Sequence, residues 1–445
     1  MLATFISLVG LFAWLYLIAL RGGFWRLTEH DRNLGGEEPA MPATYPTYVV
    51  AIVPARNEAD VIEKSLASLF AQQFHGRFDV ILVDDESDDA TAEAARRCAA
   101  AHGASGRLTI LSSRGPDAGW TGKLAAMQRG FDHVRSLPLG PDFVLFCDAD
   151  IEFSPPVLAR LVSGARARGA VLTSLMVKLR CESAAERWLV PAFIFFFQKL
   201  HPFRHVNDPD HSAAGAAGGV MLARAEALAA AGGFRAIRGA LIDDCALGAL
   251  MKAQGPIWLG LTEDVHSLRA YPRLADISRM VVRSAYAQLS YSPWRLAGAL
   301  LGMAAAYLAP PYLAFFGESP ARETALVSWL LMAQCYMPTL RFYGLSQLRA
   351  FALPGVAACY TWFTVESAWR HFCGRGGEWK GRYQAPRAQT AAQRFESSDE
   401  IEASREIEVE GAGAPWSGKT ASSWTLRGRV RERPIATKIF PSPPF

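Results

Sequence analysis

The sequence lacks the marks of several common function classes. Its seven cysteines, at positions 98, 147, 181, 245, 335, 359 and 373, contain no C-x-x-C pair, which excludes a zinc ribbon and a disulfide framework and leaves free thiols. An excess of one charge is also missing: 46 Lys+Arg against 42 Asp+Glu leave +4 over 445 residues. Without a basic stripe interleaved with aromatics, nucleic acid is not an expected partner. There is no Walker A loop, because the glycine that should open it before Gly122-Lys123 is Asp117. Apolar residues, by contrast, reach 51% with a mean hydropathy of +0.10, and membrane segments are the natural cause.

Residues 2–20, LATFISLVGLFAWLYLIAL, carry no charge and are long enough to cross a bilayer at about 1.5 Å per residue. A signal peptide has its positive charge before the apolar run, whereas Arg21 and Arg26 follow it here, so residues 1–26 read as an uncleaved anchor. By the positive-inside rule the region that follows is cytoplasmic, and the membrane is expected to be a bacterial-type inner one. A second apolar zone, 296–370, divides at Glu318–Glu323 and Arg341–Arg349 into candidate spans near 296–316, 325–345 and 350–369, which makes the chain multi-pass. Pro310-Pro311 would kink the first span. Arg341 and Glu366 would need an interface or a bundle interior. A basic juxtamembrane segment, 371–387, leads to a tail, 388–445, that is rich in Glu and Ser and ends in PSPPF; this composition reads as disordered.

Residues 45–290 have soluble character. Val49–Val53, Phe78–Val83, Thr109–Leu111 and Phe143–Cys147 read as strands, and Asp60–Gln73, Ala90–Ala101 and Lys123–Val134 as the helices between them. This alternation predicts an α/β domain with a mostly parallel sheet flanked by helices. Trp188–Leu200, WLVPAFIFFFQKL, is too short to span a bilayer, and is either a core helix or an interfacial one.

In such sheets ligands bind at the carboxyl ends of the strands, and the polar clusters fall there. Asp148 and Asp150 end the fourth strand and can hold Mg²⁺ or Mn²⁺, ions that leave positions open for substrate phosphates. An Asp-x-Asp arises about once or twice by chance at this length, so its company carries the weight. Pro54-Ala-Arg-Asn-Glu58 ends the first strand and Asp84-Asp-Glu-Ser-Asp-Asp89 the second. Capping of the next helix explains Ser87 or Asp88 and leaves Asp84 and Asp85 to accept from a base or from ribose hydroxyls. Gly119-Trp-Thr-Gly-Lys123 precedes a helix, so its amides and lysine can meet a diphosphate, or it is a turn with an exposed lysine. Ala213–Gly219 is small and flexible, suited to a ligand's approach or to tight packing. Asp243 and Asp244 stand ahead of a helical pattern at Cys245–Met251, where one can cap and the other take a proton from an acceptor hydroxyl.

Taken in order, these motifs resemble the family 2 glycosyltransferases of the GT-A fold over about residues 45–290. Val53-Pro-Ala-Arg-Asn-Glu58, Val83-Asp-Asp-Glu-Ser87, Gly122-Lys123 through Gly130, and Asp148-Ala-Asp150 carry the resemblance. Asp243-Asp244 stands where the family has Glu-Asp, whose second member is the general base. The family's Gln-x-x-Arg-Trp is only partly present, since Met280-Val-Val-Arg283-Ser284 keeps the arginine alone; this argues against a processive polymer synthase. More narrowly, Gly119-Trp-Thr-Gly-Lys, Gly239-Ala-Leu-Ile-Asp-Asp-Cys, Arg279–Tyr286 and Glu378-Trp-Lys-Gly-Arg-x-Tyr383 resemble the hopanoid-associated glycosyltransferases.

The resemblance implies an inverting displacement. Asp244 deprotonates the acceptor, Asp243 accompanies it, and Asp150 with Asp148 holds a divalent cation. Pro54, Glu58, Asp84, Asp85, Lys123, Asp148 and Arg283 bind the nucleotide-diphosphate sugar donor. The acceptor would be a lipid, hopanoid-like or a polyprenyl phosphate, at the membrane surface. Two rivals are a sugar nucleotidyltransferase, which usually carries a glycine-rich basic loop after its first strand, and a nucleotide-binding membrane scaffold without chemistry.

Overall fold

A computed structural model of the chain describes residues 1–34, 46–379 and 382–383. The tail at 388–445, and residues 380–381 and 384–387 of the basic segment, lie outside the described residues. The expected strands form. β1 (Tyr48–Ala55), β2 (Arg77–Asp84), β3 (Leu108–Ser112) and β4 (Phe143–Cys147) pair in parallel through β1 and β2. Four more strands complete one sheet: β5 (Ile151–Phe153), β6 (Leu172–Lys178), β7 (Val220–Arg224) and β8 (Ile257–Ser267), in the order β3-β2-β1-β4-β7-β6-β8-β5. β7 is antiparallel to β4 and β6, β6 and β8 are parallel, and β5 is antiparallel to β8. The sheet is therefore mixed and mostly parallel, with helices on both faces.

Period-two alternation explains why β1 reads as an unbroken apolar run. Val49, Ala51 and Val53 face the helices Ile62–Phe70, Thr91–Ala101 and Val157–Ala167. Tyr48, Val50 and Ile52 face Gly122–Arg135 and Asp243–Lys252. A strand buried on both sides has no polar face to display.

A third apolar cluster joins the Ala184–Leu200 helix to the apolar helices. Leu189, Val190, Ala192, Phe195 and Phe196 are buried there, and Ile194 is buried against the sheet, so this segment is predominantly a core helix. Its start is fixed by a capping box, Ser183 Oγ accepting from the Glu186 amide. At its end Arg21, placed by sequence as a flanking charge, donates to the Lys199 and Leu200 carbonyls at 3.0 and 3.2 Å and satisfies two groups the helix leaves open.

Two helices are long and apolar enough to cross a membrane, Leu2–Ala19 and Pro293–Phe316. They pack together, with the Trp14 indole donating to the Ala306 carbonyl at 2.8 Å. A π-turn, Ala304–Leu308, precedes the Pro310-Pro311 pair, a common accommodation where prolines remove helical donors. The expected spans near 325–345 and 350–369 are helices, Ala321–Phe342 and Leu353–Phe372, that fall short of that apolarity. Arg322, Glu323 and Arg341 occupy the former. In the latter, Glu366 accepts from Arg370 at 2.6 Å.

Candidate active site

Parallel pairing in register brings the predicted residues to one edge. Ala55 lies opposite Asp84, and Ile52 opposite Phe146, so the loops after β1, β2 and β4 leave the sheet side by side. β7, running the other way, begins at this edge, and Ala213–Gly219 leads into it. The same edge receives the end of β8, because Ile151 pairs with Ser267.

The loops after β1 and β2 lock together. Asn57 and Glu86 both adopt left-handed backbone at φ 52° and 54°, a conformation that non-glycine residues keep where surrounding structure over-determines it. The restraints are visible: the Arg56 guanidinium donates to the Asp85 and Glu86 carbonyls at 2.6 and 3.0 Å, the Asn57 amide to Ser87 Oγ at 3.0 Å, and the Asp88 amide to Asn57 Oδ1 at 2.8 Å. The capping assignment shifts accordingly. Ser87 and Asp88 face the neighbouring loop, and Asp89 accepts from the Thr91 amide at 3.0 Å. Asp84 is not wholly free either, since its Oδ1 accepts from the Ser87 amide at 3.2 Å. Pro54 is buried inside β1 and Asp85 is fully buried.

The centre of the crevice is a lysine. Lys123 is no exposed turn residue: its ammonium lies 2.8 Å from Asp148 and 3.0 Å from Asp243, with 16% of its side chain exposed. Burial alone would lower its pKa, but Asp148, Asp243 and Asp244 overcome this and hold it well above the usual value. Burial, opposed by Lys123 and aided by Asp150, raises the Asp148 carboxyl.

Asp243 and Asp244 open the Asp243–Lys252 helix, whose amide-rich end favours negative charge. Asp244 Oδ2 accepts from the Gly218 amide at 2.9 Å and Oδ1 from the Cys245 amide at 2.7 Å. Burial and the neighbouring Asp243 nevertheless push its pKa up to about 6, against Lys123 and those two amides. The helix reaches this position because Gly248 lies on the small-residue loop: a Cβ there would sit 2.6 Å from the Gly215 carbonyl carbon and 3.0 Å from the Ala216 nitrogen. Gly248→Ala must therefore shift backbone, and a stability loss of about 1–3 kcal/mol is expected. Thermal unfolding checks this, and an unchanged midpoint would show that the loop yields freely.

Asp150 belongs to a second group that sequence reasoning missed. Its Oδ2 accepts from Ser267 Oγ at 3.0 Å and lies 3.4 Å from Arg269 Nε, while Arg269 also donates to Glu58. Burial would lower the Arg269 pKa, but Glu58 and Asp150 hold it above its usual value. Tyr271, raised to about 12 by burial and Asp150 and opposed by Arg269 and Arg283, links Arg283 electrostatically to this group; its amide donates to Glu186 at 2.6 Å.

Among the described residues no three His, Cys, Asp or Glu side chains cluster as a complete metal cage. The donor chemistry still suits a hard cation. Asp150 is oriented by Ser267 and Arg269, and Asp148 is 35% exposed with a cationic ammonium already against one oxygen. Two carboxylates with the remaining positions left to a diphosphate is the usual arrangement for Mg²⁺.

Residues 50–231 match the family described as Glycosyl transferase family 2. An undecaprenyl-phosphate 4-deoxy-4-formamido-L-arabinose transferase of Pseudomonas fluorescens is 32% identical over 147 residues, 32% of this chain and 40% of that protein. A 4,4'-diaponeurosporenoate glycosyltransferase of Staphylococcus haemolyticus is 35% identical over 106 residues, 24% of this chain and 25% of that protein. The matched stretch thus spans well under two thirds of these relatives' own length. Among solved structures, the mannosyltransferase PcManGT from Pyrobaculum calidifontis in complex with GDP-Man and Mn2+ superposes with a TM-score of 0.48 at 20% identity, covering 83% of this chain and 98% of that one. Asp84, Asp85, Lys123, Asp148 and Asp150 lie within the residues that match this family, whereas Asp243, Asp244, Ser267 and Arg269 lie beyond them.

Proposed function

We propose that the chain is a membrane-bound inverting glycosyltransferase that moves a sugar from a nucleotide-diphosphate sugar to a lipid acceptor, with hopanoid biosynthesis as its setting. The observation that carries this reading is the Lys123 ammonium bridging Asp148 and Asp243 at 2.8 and 3.0 Å. It couples a donor-side carboxylate to the pair that would serve the acceptor, within one crevice. An acceptor hydroxyl oxygen attacks the anomeric carbon on the face opposite the diphosphate. The new C–O bond forms as the bond to the diphosphate oxygen breaks, and the hydroxyl proton passes to the Asp244 carboxylate.

Asp244 suits that task because a carboxyl with a pKa of about 6 is ionised at neutrality yet more basic than an ordinary aspartate. Asp84 and Asp85 orient the nucleotide from the end of β2, while Glu58 acts through Arg269 to hold Asp150. Arg283 faces the leaving diphosphate from beyond Tyr271. Asp148 and Asp150 would hold a divalent cation, which when bound neutralises charge on the diphosphate. The two long apolar helices supply the membrane attachment, and a lipid acceptor is supported by the undecaprenyl-phosphate transferases among the relatives.

The decisive assay incubates membranes containing the chain with a panel of radiolabelled nucleotide sugars and identifies labelled lipid by mass spectrometry. Label in a lipid is expected; donor turnover into polymer with no labelled lipid would overturn the acceptor class. For the donor side, Asp150→Ala is expected to weaken Mn²⁺-dependent nucleotide-diphosphate binding about tenfold or more in calorimetry, the loss of a charge-assisted contact. Undiminished metal-dependent binding would remove Asp150 from this role.

A further inference from the structure

Away from the crevice, an open cleft of about 690 Å³ lies between the segment after the Leu2–Ala19 helix and the end of the Ala321–Phe342 helix, lined in part by Trp25, Arg26, His30, Glu263, Arg341 and Phe342. Its charge is lopsided. Glu263 is already engaged by Arg32 at 3.4 Å and Lys178 at 3.6 Å, whereas no carboxylate among the described residues pairs with Arg26 or Arg341. Both helices also expose apolar ridges, Phe12 and Leu15 on one, Leu326 and Leu330 on the other.

We propose that this cleft seats the phosphate of an anionic glycerophospholipid, with its acyl chains along those ridges; the inference rests on the membrane-bound reading above. The phosphodiester supplies the counter-charge Arg26 and Arg341 lack, and guanidinium forks match phosphate oxygens in pairs. Tryptophan and arginine at the end of a long apolar helix are placed where headgroups lie. This site is separate from the acceptor crevice and would tune stability rather than chemistry.

The test uses the detergent-purified full chain. Dioctanoyl phosphatidylglycerol is expected to raise the unfolding midpoint by about 3 °C or more, and dioctanoyl phosphatidylcholine to leave it unmoved. Arg26→Gln combined with Arg341→Gln should require about tenfold more phosphatidylglycerol for the same shift. Equal shifts from both lipids, an equal shift from inorganic phosphate, or an undiminished response in the variant would overturn the proposal. Carbonate extraction separates the two readings: chain released from membranes refutes the membrane-bound reading, whereas chain retained there without a phosphatidylglycerol response refutes the headgroup site alone.

Discussion

Asp244→Asn is expected to reduce sugar transfer by about a hundred- to ten-thousand-fold, the usual contribution of a positioned general base, while nucleotide-diphosphate binding stays within about twofold. The substitution preserves shape and removes the proton acceptor. Binding survives because the donor-side residues reach Asp244 only through Lys123. The wild-type rate should carry an acidic limb: below a pKa of about 6 Asp244 is protonated, so the rate falls about tenfold per pH unit as pH drops. Asp244→Asn removes that limb along with the activity. The result also sorts acceptors, since a phosphate acceptor is largely ionised at neutral pH and needs no base. Transfer at wild-type rate in Asp244→Asn would sink the base assignment and favour a phosphate nucleophile.

Much of this site was legible because period and charge coincide. β2 and β4 are apolar runs that stop at carboxylates, β1 is one followed three residues on by Glu58, and parallel pairing carries Asp84 and Asp148 to one edge. What escaped notice had weaker local marks. β8 carries His266 and Glu263 among its apolar residues, which hides it, and with it went Ser267 and Arg269. The signal available was Ile257-Trp-Leu-Gly-Leu261 after Gly255-Pro256, a short apolar run opened by turn residues. β6 was similarly readable at Val171–Val177. The position of Lys123 could not have been read, because its partners lie 25 and 120 positions away and only the antiparallel entry of β7 brings the Asp243–Lys252 helix to it. The helices Ala321–Phe342 and Leu353–Phe372 were legible as apolar segments, and Ala321–Phe342 packs chiefly against the two long apolar helices, Leu2–Ala19 and Pro293–Phe316.

Lys123→Met should be the most damaging change to the fold of the site, because it keeps the length of the side chain and deletes the one ammonium between Asp148 and Asp243. Breaking a buried ion pair by removing one partner costs about 3–5 kcal/mol, and the partial exposure of Asp148 puts the expectation toward the lower end. The loss should depend on pH, with a definite sign. Lys123 lowers the pKa of both Asp148 and Asp244, so its removal raises these carboxyls further above their unfolded values. The folded variant then binds more protons than the unfolded chain, and its stability falls as pH rises through the raised pKa values. At pH 5 the Asp244 carboxyl, its pKa lifted above about 6, is largely neutral, so the loss should be smaller there than at pH 8, where that carboxyl is ionised. Any residual transfer should show its acidic limb displaced above pH 6, because Asp244 now needs a higher pH to ionise. Thermal unfolding at the two pH values and the pH–rate profile check both consequences. Equal destabilisation at pH 5 and pH 8 would mean that Lys123 acts through packing alone, and the electrostatic coupling of the donor and acceptor carboxylates would fall with it.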